Sequence, residues 1–348
     1  DRCLSRGLGD VYKRQFYLFF IFSCQTNNQD SKADKSELVL LSEKINQNPN
    51  DVNLILNRVD YNLNLKKYES ALFDLNQCLS IDSLNSRCNY LAAFCYFEIS
   101  KYDQTKSEYG KLALDCIKNS IEIDSDNFLA FSLYGEINIA YGRYKQAIDC
   151  FNKSLSKEYN QYKIHHLMGY AFKKLRQHNE AINCFQNSLN VNPEYIESYI
   201  ELALVYQSKN DTLAETYYLN ALKIDSSNEI SLYNLALYYQ NNFLYNKALE
   251  TYNKLLDFDA FNANTHYNIG FIHMELDLHD IAVNNFADAI YSNPSFFESY
   301  YARGICFETL GNIAQAEVDY KRAIEINPEY SFAIDALENL NKNNLKYN

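Results

Sequence analysis

A period of 34 residues runs through most of this chain and constrains its fold more than any other feature. Ala71, Ala113, Ala147, Ala181, Ala214, Ala248, Ala282 and Ala316 step by 42, 34, 34, 33, 34, 34 and 34. A large apolar residue stands four positions after each: Leu75, Ile117, Phe151, Phe185, Tyr218, Tyr252, Phe286 and Tyr320. A third series, Val59, Ala93, Gly135, Gly169, Ala203, Ala236, Gly270 and Gly304, keeps the same register. Comparing the series places eight extra residues between Ala93 and Ala113, and one missing residue between Ala203 and Ala214. A repeat of this length is one supersecondary unit that cannot bury its apolar face alone, so its neighbours must cover it.

Each unit reads as two amphipathic helices with apolar residues at i, i+3, i+4 and i+7. The stretch YYARGICFETLGNIAQAEVDYKRAIEINP, residues 300–328, shows both. Gly304 and Ala316 are small where the paired helices approach, and Phe307 and Tyr320 fill the space around them. Asn327-Pro328 stops the second helix, because the residue before a proline avoids the α region. Only 9 Gly and 4 Pro break the chain, which favours helices over a β-sandwich.

On Tyr300, Gly304, Phe307, Ala316, Tyr320, Ala323 and Pro328, in that order, the sequence resembles the tetratricopeptide repeat family. The resemblance covers eight repeats over 52–330. It implies an all-α fold: a right-handed superhelical solenoid of helix–turn–helix repeats closed by capping helices. The caps are read at 36–50 and at 331–348, the latter with a short tail. The second repeat departs from the pattern at SKYDQTKSEYGK, where Tyr109, Leu112, Ala113, Cys116, Ile117 and Ser120 keep helical spacing and predict one lengthened helix.

The N-terminus reads differently. Residues 1–15 include DVYKRQ, which resembles the translated end of a transposon-type sequencing-library adaptor, so they are read as an artefact of the sequence's origin. The apolar run over 16–23 is too short to span a bilayer. It reads as the remnant of a signal peptide, because Ile21-Phe22-Ser23-Cys24 is similar to a bacterial lipoprotein processing site. The resemblance makes Cys24 the lipidated residue and 24–35 a flexible tether. The competing reading is that Phe16 to Phe22 forms a strand or packs on the first helix.

No enzyme signature stands in the chain: H-E-x-x-H, G-x-S-x-G and the phosphate-binding glycine loop are all absent from the sequence. No catalytic residue, cofactor or metal is therefore assigned. Cys116, Cys150 and Cys184 recur 34 apart and read as small buried apolar residues. His165, His266 and His273 fall at bulky first-helix positions and read as packing groups, against a metal-binding alternative. The net charge of −12 argues against nucleic acid as a partner.

The family's concave wall, lined by first helices, holds peptides or partner helices. By helical phase the partner-binding groove here comprises Tyr90, Phe94 and Phe97, then His166, Tyr170 and Lys173, then Leu204 and Gln207. It continues through Tyr233, Leu237 and Gln240, then Tyr267, Phe271 and Met274, then Tyr301, Ile305 and Glu308. The alternative is that some of these pack on neighbouring repeats. The functional expectation is a non-enzymatic protein-interaction scaffold, lipid-anchored in a bacterial cell envelope, that binds a protein or peptide. A cytoplasmic assembly or regulatory adaptor, and a binding subunit of a separate enzyme, are the alternatives.

Overall fold

The structure, a computed structural model, describes residues 31–102 and 107–347. Those residues form eighteen α-helices and no strand. In order they are α1 (Ser31–Gln47), α2 (Val52–Asn64), α3 (Tyr68–Ile81), α4 (Ser86–Tyr102), α5 (Ser107–Ile123) and α6 (Phe128–Ala140). Then come α7 (Tyr144–Lys157), α8 (Tyr162–Lys174), α9 (His178–Val191), α10 (Ile196–Ser208), α11 (Leu213–Ile224) and α12 (Glu229–Asn241). The last six are α13 (Tyr245–Phe258), α14 (Ala263–Glu275), α15 (His279–Ser292), α16 (Phe297–Thr309), α17 (Ile313–Ile326) and α18 (Ser331–Tyr347). The eight repeats read from the sequence are α2 to α17 taken two at a time. The chain divides into two compact units, Asp1–Ile137 and Asn138–Asn348.

Two local devices set the helix lengths. Between the helices of a repeat the chain turns through a left-handed residue: Lys66, Gly142, Arg176, Asn210, Phe243, Asp277 and Gly311, with φ between 55° and 78°. The next residue's N–H reaches back to a carbonyl in the last turn, as from Arg143 to Asn138 and Gln177 to Phe172. That is the Schellman arrangement, which satisfies the orphan carbonyls of a helix end. Only two of these seven positions are Gly, so the bond pattern, and not the residue type, holds the turn.

Between repeats the second helix ends on an acid or amide whose side chain accepts the N–H two residues on. This happens at Asp82, Asp124, Glu158, Asn192, Asp225, Asp259, Asn293 and Asn327. Five of the eight lack a following proline. The stop attributed to Asn-Pro is thus made chiefly by this Asx-type turn, which any short acceptor side chain can form.

Two boundaries differ from expectation. α1 begins at Ser31, inside the stretch read as tether. The insertion in the second repeat lengthens both its helices: α4 and α5 each have 17 residues, where other first helices have 13. The segments read as adaptor and signal remnant, and Cys24, lie outside the described residues.

The core of each unit follows the small/aromatic series. In the first, Ile55, Val59, Ala71, Leu75, Cys78, Cys88 and Cys95 are fully buried together. In the second, Phe151, Phe185, Tyr218, Tyr252, Phe286 and Tyr320 are each fully buried between the helices of their repeat and the next. Each such side chain contributes about 1.5–3 kcal/mol by leaving water. A Cβ at Gly169, Gly270 or Gly304 would sit 2.7, 2.9 or 2.6 Å from the ring of Phe185, Phe286 or Tyr320.

Candidate functional site

The expected wall positions fall on the first helices, and consecutive first helices touch directly where α8 meets α10 and α14 meets α16. The structure sorts the wall residues into four groups. Phe97 and Tyr170 are inside, 4% and 8% exposed. Phe97 packs with Ala93, Ala113, Ile117 and Ala130, and Tyr170 stands edge-on to Tyr144 at 6.3 Å. Neither lines an open surface: the second helix of its own repeat covers Phe97, and Tyr170 meets the second helix of the preceding repeat. The assignment of both to the groove is corrected accordingly.

A second group is committed to a neighbouring repeat. Tyr90 and Phe94 are half-buried against the first unit's core, with Phe94 edge-on to Tyr68 at 6.0 Å. Burial, with Glu136 nearby, pushes the Tyr90 phenol up to about 12. His166 meets Tyr195 edge-on at 5.2 Å and pairs its Nδ1 with the Ser198 hydroxyl at 3.0 Å. Desolvation holds its imidazole down at about 4. Lys173 ion-pairs with Glu201 of the next repeat. Tyr233 accepts a hydrogen bond from Asn268 at 3.2 Å. Tyr267 lies 5.1 Å from Phe296 and Tyr301 lies 5.4 Å from Tyr330. These are the inter-repeat contacts that the sequence reading left as the alternative to a free groove.

One wall position serves the core of its own repeat. The hydroxyls of Tyr218, Tyr252 and Tyr320 donate to Gln207, Gln240 and Glu308 at 2.9, 2.9 and 2.7 Å. A buried phenol needs such a partner. Where the core ring is Phe185 or Phe286, the same position holds Lys173 or Met274. Sequence reasoning missed this coupling, although the co-variation of Tyr with Gln or Glu eleven or twelve residues earlier is visible within the chain.

The remaining wall residues are half-buried and open. Leu237 and Phe271 belong to none of the hydrophobic clusters of the second unit. Leu204 and Ile305 are partly buried and pack against core clusters of the second unit. Together they give apolar surface at equivalent positions of four successive first helices.

Other candidates resolve as structure. His266 and His165 pair Nε2 with the carbonyl six residues back, at Ala260 and Tyr159. Tyr199 and Tyr300 donate to Pro193 and Pro294 at the same offset. His273 bonds Asn285 at 2.8 Å. These histidines tie first helices to turns, and no group of metal-ligating side chains is present among the described residues. The seven described cysteines are free thiols, six of them buried. Cys150 and Cys184 occupy the second-helix position that holds Asp74 in the first repeat and Asp319 in the last. Those two aspartates pair with Arg58 and Arg303 sixteen residues earlier, at 2.7 and 2.8 Å. The two ion pairs were not anticipated; their signal is the same Arg–Asp spacing in the two terminal repeats. No described helix is long and apolar enough to cross a membrane.

Three segments match models of the tetratricopeptide repeat: residues 162–195, 230–262 and 297–330. They coincide with α8–α9, α12–α13 and α16–α17 and their closing turns. The chain therefore carries tetratricopeptide repeats. Among solved structures it is similar to a tetratricopeptide repeat protein from Parabacteroides merdae ATCC 43184, with 17% identity, 72% of this chain and 98% of that one covered, and a TM-score of 0.49. It is also similar to a chain of the APC/C heterotetramer Cut9–Hcn1, with 15% identity, 90% and 60% covered, and a TM-score of 0.49. A third is YrrB, described as a TPR protein with an unusual peptide-binding site, with 15% identity, 64% and 97% covered, and a TM-score of 0.36. No curated protein matches.

Proposed function

We propose that this chain is a non-enzymatic protein-interaction scaffold whose first-helix wall holds a peptide or an extended segment of a protein partner, and that it is anchored in a bacterial cell envelope through lipid on Cys24. Tetratricopeptide repeats are typical of protein-interaction scaffolds, and that supports the first half. The observation that carries the wall is Leu237 and Phe271: half-buried apolar side chains at one register of consecutive repeats, outside every described core cluster of their unit. Repeated apolar positions with a polar surround suit an extended ligand better than a small molecule.

Selection of displayed peptides on the immobilised chain tests the wall. Leu237→Ala with Phe271→Ala is expected to weaken the selected peptide by about tenfold or more, since each truncation removes one apolar anchor. Unchanged affinity excludes this wall. The anchor is supported by the order of apolar run, small residue, Cys and polar stretch at 16–35. Cys24→Ala is expected to move the protein from the membrane to the soluble fraction. Protein that stays in the membrane fraction excludes a lipid on Cys24.

A further inference from the structure

The helix that closes one repeat meets the helix that opens the next through two positions, seven and seventeen residues after the repeat alanine. At Ser188 of α9 and Ser198 of α10 the two hydroxyls touch, at 2.9 Å. Two other junctions pair Ala221 with Ser231 and Ala289 with Ser299. There the serine hydroxyl is buried with no hydrogen-bond partner among the described residues. Cutting one side chain back to Cβ leaves the other with nothing to reach, so the two positions face each other across the junction.

Cys78 of α3 and Cys88 of α4 hold these two positions where the first repeat meets the second. Both are fully buried, in one cluster with Ile55, Leu75 and Ala92. Both are free thiols in this structure. A disulfide needs Cβ atoms about 3.5–4.5 Å apart, on side chains that point at each other. The serine pair shows two side chains of the same reach meeting tip to tip in this register. The Cys88 thiol donates to the Cys78 sulfur, which holds the pKa of Cys78 down and pushes that of Cys88 up. No other two described cysteines stand in this register. Cys95 lies two turns from Cys88 on the same helix, about 10 Å along its axis and beyond bonding reach.

We propose that Cys78 and Cys88 close into a disulfide when the chain meets a disulfide oxidant, stapling the first repeat to the second. The step is two exchanges. The Cys78 thiolate attacks one sulfur of the external disulfide, whose S–S bond breaks and releases one thiolate. The Cys88 thiolate then attacks the Cys78 sulfur of the mixed disulfide, and the second external thiolate leaves. The chain loses two protons and two electrons, and the oxidant becomes two thiols. The first repeat gains most from a staple, because only the single helix α1 packs on its other side and an array opens from such ends. In the cell the oxidant rests on the envelope reading above, since the cytosol keeps thiols reduced. With purified protein the pairing is testable apart from it.

The full chain, reduced and unfolded in urea, is refolded in an equimolar mixture of reduced and oxidised glutathione. Free thiols are then blocked and the chain is cut with trypsin without reduction. Cleavage after Arg87 separates the two cysteines, so the bond is read as peptides 68–87 and 88–101 joined. Cys95→Ala should leave that joined pair in place, and Cys88→Ser should abolish it. Cys78→Ser with Cys88→Ser recreates the serine pair of the Ser188–Ser198 junction, so it should fold and gives the chain without the bond. Closing the loop over 78–88 removes unfolded-chain entropy equivalent to about a hundredfold in an opening constant. Hydrogen exchange in α2 and α3 is therefore expected to slow on oxidation, by up to about a hundredfold, and to quicken again with reductant. If the chain does not refold, incubation of the native protein with oxidised glutathione carries the test. Peptides that stay separate, or are joined only through Cys95, overturn the proposal, as does exchange in α2 and α3 that is the same in both redox states. A chain that forms the bond in glutathione but is trapped reduced in cells counts against the envelope reading and not against the pairing.

Discussion

Replacing Gly304 by Ala tests the claim that the glycine series sets how closely paired helices approach. A Cβ there would lie 2.6 Å from Tyr320 Cε1, 2.8 Å from Cδ1 and 3.3 Å from Cζ. Carbon atoms prefer about 3.5–4.0 Å, so the ring or α17 must give by roughly 1 Å. The ring has little freedom: Tyr320 is fully buried, and its hydroxyl is fixed on Glu308 at 2.7 Å. Overpacking of this kind costs about 1–3 kcal/mol. Alanine recovers up to about 1 kcal/mol of helix propensity over glycine. The net expectation is a loss of about 1–2 kcal/mol. Urea unfolding followed by circular dichroism reads the total, and hydrogen exchange on α16 and α17 localises it, since a repeat array yields locally. In a Tyr320→Leu background the same change should cost less, with a coupling of about 1 kcal/mol. The chain supplies its own reference: Ala236 and Ala203 share a register with Tyr252 and Tyr218, and there the same position carries a Cβ. If Gly304→Ala left stability equal to or above the parent, the reasoning would be refuted, because spreading the pair would then cost nothing.

Three further outcomes are expected. Tyr252→Phe and Gln240→Met should each cost about 1 kcal/mol, and the double variant less than their sum, since it recreates the Phe286–Met274 combination; strict additivity in urea titrations would count against the pairing. Phe243→Gly should stabilise by up to about 1 kcal/mol, because φ is 58° and the ring is 76% exposed, so left-handed strain is relieved with little burial lost; a lower thermal midpoint would contradict this. His166 is held near 4 by desolvation, so below about 6.5 the unfolded chain binds a proton that the folded chain refuses. Its contribution is intact above about 6.5, and stability falls as pH drops toward 4, by up to about 3 kcal/mol; His166→Phe should flatten that window, and an unchanged slope would sink the assignment.

The period carried most of the fold. Gly304, Ala316 and Tyr320, with their counterparts every 34 residues, identify where two helices cross and what fills the crossing, because the hydrophobic repeat is a local property of the chain. It did not show what ends each helix. Asp82 and Asp225 do the work assigned to Asn-Pro, through a side-chain bond that leaves no periodic trace. The candidate site was legible by position but not by availability. Helical phase put Phe97, Tyr170, Leu237 and Phe271 on the same footing. Packing against the neighbouring helices buries the first two and leaves the last two open.

The sequence by itself determined the helix pairs, their number and their crossings, since each follows from residues a few positions apart. Only the tertiary structure decided which first-helix side chains are covered and which phenols need Gln or Glu. Those outcomes depend on how one repeat is set against the next, a distance and rotation that no single repeat encodes.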